Sequence, residues 1–183
     1  MTAVRRAPRK KSKRKLASLS EACALSDVGK VRAANEDACL VDATRGLLIV
    51  ADGLGGHNAG EMASKIVVDL LPSMLAADVV GPPDARMKRV LFELSKRVWD
   101  VASGKPGLSG MGSTVVAVCV ENGIAHVANL GDSRAYLWRG KQLRRLTEDH
   151  TVASILEKDG EITAEEAKTC LLYTSDAADE RSS

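Results

Sequence analysis

Two apolar runs, Thr114 to Val120 and Ile124 to Leu130, are separated by only Glu121, Asn122 and Gly123. Asn-Gly supplies the two positive-φ residues of a tight hairpin turn, and so short a connection cannot cross over to a parallel neighbour. The chain therefore contains antiparallel sheet. Ala135 to Trp138 reads as a third strand, with Gly140 and Lys141 as the next turn. Upstream, Gly46 to Val50 is a continuous apolar run of the kind a buried strand shows, and Glu21 to Asp42 reads as two strands joined by a polar turn, Ser26 to Asp37. Helical spacing comes in separate blocks. Met62, Ile66, Val67, Leu70, Leu71, Met74 and Leu75 form one stripe, kinked or divided at Pro72; Met87, Val90, Leu91, Leu94, Val98 and Val101 form a second after Pro82 and Pro83. Both stripes are expected in the core. Thr147 to Asp159 has a helical pattern, and Thr163 with Glu166 is a capping box for one more short helix. Meandering strands with helices in blocks define an α+β architecture, helices covering antiparallel sheet.

At 183 residues and 45% apolar content the chain fits one core, without repeats. It has no run of about 18 apolar residues to cross a membrane. The basic N-terminus lacks the apolar stretch of a secretory signal, so a cytoplasmic setting is expected. Cys23, Cys39, Cys119 and Cys170 are scattered without a CxxC pair, which points to reduced, buried thiols. The net charge of +2 hides a segregation: residues 1 to 15 hold eight bases and no acid, leaving 18 bases against 24 acids in the rest. An arm over residues 1–19 is expected to be disordered, and it alone suggests nucleic acid, because the remainder lacks a basic surface block or aromatic stacking platform. If the acids of the remainder converge, they attract a divalent cation.

Three constellations carry chemistry. Arg32, Asn35, Glu36 and Asp37 crowd a guanidinium, an amide and two carboxylates between apolar runs. An arginine fork suits phosphate, and carboxylates suit Mg²⁺ or Mn²⁺. Neighbours on an extended strand face opposite ways, so one of Glu36 and Asp37 is expected to touch a metal directly; the alternative is a loop ion pair. Asp52 and Gly53 follow the buried strand, either as a carboxylate compensated by a cation, with the Gly53 carbonyl beside it, or as a plain Asp-Gly turn. His57, in the same glycine-rich loop, either donates a proton to a leaving group or bonds to backbone. Asp132, between two strands, either reaches a metal, pairs with Arg134 or shapes a turn.

In this order, Ser26-Asp27-Val28-Gly29-Lys30-Val31-Arg32 with Asn35-Glu36-Asp37, Val50-Ala51-Asp52-Gly53-Leu54-Gly55-Gly56-His57 with Gly60-Glu61, Met111-Gly112-Ser113-Thr114, Gly131-Asp132-Ser133-Arg134-Ala135-Tyr136-Leu137, and Leu146-Thr147 with Asp149-His150 resemble the metal-dependent, type 2C protein serine/threonine phosphatases in their bacterial form. The resemblance spans residues 26 to 150. It implies an α-β-β-α sandwich of two antiparallel sheets flanked by helices, with a centre of two, or three, Mg²⁺ or Mn²⁺ ions at one edge. It also implies water attack on phosphoserine and phosphothreonine of proteins, among them substrates of a partner serine/threonine kinase. Asp52 matches the carboxylate that bridges two metals, Gly53 supplies its carbonyl, Glu36 and Asp37 supply or orient ligands, Arg32 matches the phosphate-binding arginine, and Asp132 matches a third-metal position. Animal members carry a histidine after the Asp-Gly as general acid; Leu54 stands there, and His57 lies three residues later.

The family continues to two further metal-binding aspartates, one in Ser-Asp-Gly and one in Asp-Asn. The segment 170–183 has Ser175-Asp176-Ala177 instead, arriving early, and reads as non-native sequence behind the N-terminal part of a catalytic domain over residues 20–169. The sandwich is then incomplete and this chain inactive. The competing reading is a pseudophosphatase or phosphoprotein-binding module.

Overall fold

The computed structural model describes residues 21–55 and 58–169; the expected arm over 1–19, the segment 170–183 and His57 lie outside the described residues. In chain order the elements are β1 (Asp37–Asp42), β2 (Leu47–Leu54), α1 (Ala59–Ala77), α2 (Pro83–Ser103), β3 (Gly112–Ser113), β4 (Val115–Glu121), β5 (Ile124–Leu130), β6 (Tyr136–Arg139), β7 (Gln142–Arg145), α3 (Val152–Lys158) and α4 (Ala164–Thr169). One sheet has the order β1-β2-β4-β5, with β3 pairing the end of β2, and β6-β7 forms a separate ribbon; every pairing is antiparallel.

The turns are those the sequence demands. Asn122 and Gly123 sit at φ 54° and 80°, and Gly140 and Lys141 at 58° and 64°, so both hairpins close through two left-handed residues whose twist matches the strands. Along β2 the side chains alternate: Leu47, Ile49 and Ala51 are buried on one face. Val115, Ala117 and Cys119 of β4 join them, and α1 and α2 cover this face with Val67, Leu71, Leu75, Met87, Val90 and Leu94. The stripe of α2 is the expected one. That of α1 is rotated: Ala63, Val67, Val68 and Leu71 are buried, whereas Met62 is exposed and Ile66, Leu70 and Met74 are only partly buried. Small residues at Ala59, Gly60 and Ala63 let the start of α1 approach β2 closely, which sets the buried face. The helix runs on through Pro72 without a break.

Three expectations are corrected. Within Glu21 to Asp42 only β1 is a strand. Cys23 to Ser26 lie instead across a groove on the sheet face opposite the helices, and a turn with Gly29 at φ 75° bonds its N–H to Asp27. Thr147 to His150 are not helical, because tertiary bonds hold them extended: the Thr147 hydroxyl accepts from the Ala135 N–H at 3.1 Å and the His150 N–H donates to the Gly131 carbonyl at 2.9 Å. The helix starts only after Thr151, whose side chain caps it reciprocally with Ser154. Cys23 is exposed, not buried, while Cys119 is buried as expected and all three described cysteines are free.

The architecture is thus α+β, with antiparallel sheets and helices. Of the expected sandwich, the described residues build one helical layer, one sheet and the β6-β7 ribbon. The face of the large sheet opposite α1 and α2 carries Val41, Leu48, Val50, Val116 and Val118, and Val50 is half exposed there.

Candidate metal and phosphate site

Asp37 and Asp52 are direct cross-strand partners at the end of the β1-β2 hairpin, so their side chains leave the sheet on the same face, the one without helices. The backbone of Asp52 turns the other way: its N–H donates to the Thr114 hydroxyl at 3.1 Å, and its carbonyl accepts from the Thr114 N–H at 2.8 Å. The two aspartates are therefore a non-hydrogen-bonded pair, the closer of the two antiparallel spacings, with Cβ atoms about 4.5–5.5 Å apart. Like charges so placed repel, and a cation between them turns the cost into binding energy. Of the sequence alternatives at Asp52, the plain turn is excluded: Asp52 and Gly53 are paired strand residues.

Glu36 faces the other way, as expected for its neighbour on an extended chain. Its carbonyl accepts from the Gly53 N–H at 3.1 Å, and its carboxylate packs against Gly60 in the first turn of α1, where unpaired N–H groups favour negative charge. From there it holds the Arg32 guanidinium at 3.3 Å. Arg32 is thus held by an acid that packs on the first turn of α1. A side chain on Gly53 would collide with the carbonyls of Gly60 and Glu36, so glycine is required where β1, β2 and α1 converge. Asn35 braces the entry to β1: its amide N–H donates to Ser26 Oγ at 2.7 Å and its oxygen accepts from the Asp37 N–H at 3.0 Å.

The third constellation is tied in through Thr114, whose hydroxyl lies 2.6 Å from that of Ser133 and joins the Asp132 loop to the backbone of Asp52. Asp132 is half-buried in that loop. It does not take Arg134, whose guanidinium grips Asp149 through Nε and Nη2, at 3.1 Å and 2.7 Å; Arg145 reaches the same carboxylate. Thr114, Gly60 and Asp149 stand in the motif strings, yet their roles follow from spatial neighbours 62, 7 and 15 residues away and had no local signal.

Asp37, Asp52 and a backbone carbonyl are hard oxygen donors and fit Mg²⁺ or Mn²⁺ in kind. Among the described residues no third His, Cys, Asp or Glu side chain joins them in a cluster.

An antiparallel sheet under two helices, with paired aspartates at the strand ends and an arginine in the segment leading into β1, agrees with the resemblance to metal-dependent phosphatases. The chain belongs to the protein phosphatase 2C family, whose model matches residues 30–180. It is 36% identical over 152 residues to the serine/threonine phosphatase stp of Listeria monocytogenes, covering 78% of this chain and 59% of that protein. To the serine/threonine protein phosphatase PstP of Mycobacterium tuberculosis it is 37% identical over 144 residues, 79% of this chain and 28% of that one. Among solved structures, the PPM Ser-Thr phosphatase MsPP of Mycobacterium smegmatis, in complex with cacodylate, superposes with a TM-score of 0.67 at 36% identity, covering 84% of this chain and 63% of that one. The catalytic domain of PstP in complex with two manganese ions gives 0.63 at 36% identity, over 78% and 61%. The chain spans a little under two thirds of the length of the stp relatives.

Proposed function

We propose that the complete parent protein hydrolyses phosphoserine and phosphothreonine on proteins, with Mg²⁺ or Mn²⁺ held by Asp52, Asp37 and the Gly53 carbonyl. The observation that carries this reading is the register of Asp37 opposite Asp52, which puts both carboxylates on one face of the sheet. When bound, such ions would lower the pKa of a water and neutralise phosphate oxygens. Arg32 binds and orients the phosphate through its fork, and Glu36 positions Arg32. Glu36 serves the centre through Arg32 in this assignment, and Asp132 is the candidate for an additional ion. The substrates are those of a partner serine/threonine kinase in the cytoplasm. Membership of the 2C family and the manganese in the PstP structure support the metal assignment.

For the 183-residue chain itself a second reading has its own support: the described residues gather two acidic side chains at the centre rather than three or more. A chain that binds phosphorylated partners without turning them over fits that set. Both readings face the same assay, hydrolysis of p-nitrophenyl phosphate with Mn²⁺. In the parent protein, Asp52→Asn is expected to lower turnover by at least about 10³-fold, because a neutral amide does not hold two dications together. Full activity in that variant rejects the assignment. Measurable turnover by the 183-residue chain rejects the binding-only reading.

A further inference from the structure

The ribbon β6-β7 and its flanks, residues 134–145, hold Arg134, Arg139, Lys141, Arg144 and Arg145 and no acid. This block escaped the sequence reading, which found no basic surface beyond residue 15, because the five bases are interleaved with apolar residues and only pairing stacks them. Asp149 neutralises Arg134 and Arg145. Arg139, Lys141 and Arg144 are exposed and have no ion-pair partner among the described residues. The register sets Arg144 opposite Leu137 and Arg139 opposite Gln142, so both arginines lie on one face, with Lys141 at the tip. The other face carries Tyr136 and Trp138.

Position gives the block meaning. Tyr136 and Arg134, at the base of the ribbon, line a groove of about 370 Å³ that is also lined by Asp37. Beyond residue 15 the chain has 18 bases and 24 acids, so without this ribbon it carries a net −11. A polyanionic polypeptide is repelled by most of such a surface and steered to the ribbon. We infer that the β6-β7 ribbon docks an acidic polypeptide segment next to the phosphorylated residue of a protein partner. Three cations, two on the four-residue strands and one at the turn, suit a few carboxylates; a nucleic-acid backbone engages a longer row of phosphates. That the docked segment belongs to a substrate rests on the phosphatase reading above, whereas the docking does not.

The test uses the full 183-residue chain in EDTA at about 0.15 M salt, where only contacts near a Debye length of about 8 Å persist. Fluorescence anisotropy follows four labelled probes: a Glu-rich peptide, the same peptide with one phosphothreonine, a neutral phosphothreonine peptide, and an oligothymidylate of equal charge. Because residues 1–15 add eight bases, the readout is the effect of substitution. The triple variant Arg139→Gln, Lys141→Asn, Arg144→Gln is expected to weaken both Glu-rich peptides about tenfold and the neutral one less than twofold. The control Lys88→Gln, Lys96→Gln, Lys105→Gln removes equal charge from exposed positions elsewhere and is expected to change affinity less than twofold. Equal losses in both variants, no loss in the first, or tighter binding of the oligothymidylate than of the Glu-rich peptides overturns the inference. If the peptide result holds while the Asp52→Asn parent stays active, docking stands and the phosphatase reading falls; the opposite pair of results removes the docking alone.

Discussion

Gly53 is the residue on which the site turns, because three backbones meet there with no room for a methyl group. Gly53→Ala forces Gly60 and Glu36 to move, and is expected to lower stability by about 1–3 kcal/mol, a fall in Tm of roughly 2–10 °C in thermal unfolding. Arg32 is the contrasting case. It is 40% exposed and its pair with Glu36 is a surface ion pair, worth about 0–1 kcal/mol. Arg32→Ala is therefore expected to leave Tm within about 2 °C and, in calorimetry on the parent protein, to weaken inorganic phosphate more than tenfold while Mn²⁺ binding persists. A variant that loses Mn²⁺ and keeps phosphate contradicts its role. The contrast shows what the sequence carried. Residue type and order marked Arg32, Asp52 and the Glu36/Asp37 pair as candidates, whereas which of the pair shares a face with Asp52 came from the register, and the packing of Glu36 on α1 depends on Gly60, a contact that no spacing rule contains.

At the scale of elements, legibility followed the locality of the cause. The hairpins at Asn122-Gly123 and Gly140-Lys141 were readable because the turn residues alone decide them, and Thr163 with Glu166 caps α4 as the sequence implied, the Glu166 N–H donating to the Thr163 hydroxyl at 3.2 Å. Thr147 to His150 misled because their partners, Ala135 and Gly131, lie on another part of the chain. The α2 stripe was read correctly, and its contribution is open to measurement. Leu94 is 2% exposed in the main core, so Leu94→Ala is expected to cost about 2–5 kcal/mol in denaturant unfolding, through lost burial plus the cavity left behind. Exposed Phe92, two positions earlier on the same helix, makes the control: Phe92→Ala is expected to change stability by less than about 0.5 kcal/mol.

For the whole molecule, charge sets the response to pH. The carboxyls of Asp42 and Asp78 are held below their usual 3.8 by hydrogen bonds, from Thr44 in the first case and Arg89 in the second. Glu148, bonded to Lys158, and Glu166, bonded to the Thr163 backbone, lie below their usual 4.5. In each the folded value is the lower one, so the stabilisation is present above the unfolded value and lost as pH falls through the folded one. Tm is expected to be level from about pH 8 to 5 and to fall below about pH 4. Substituting Asp78→Asn is expected to flatten part of that fall; an unchanged profile contradicts the assignment. At the alkaline end burial holds the Cys119 thiol above its usual 9.0, so the folded state loses ground once the unfolded thiol ionises above that pH.

The pairing of Asp37 with Asp52 has one more consequence. Only four residues, 43–46, join β1 to β2, and the Asp42 carboxylate fastens this turn by accepting from Thr44 and Arg45. The turn is a ruler: inserting or deleting one residue there sends Asp37 to the opposite face from Asp52 while leaving most of the hairpin's hydrogen bonds available. On the proposed assignment of Asp37 and Asp52 as ligands, cation affinity becomes a gauge of alignment between two strands, and a chain paired one step out of step would betray itself by failing to take up metal.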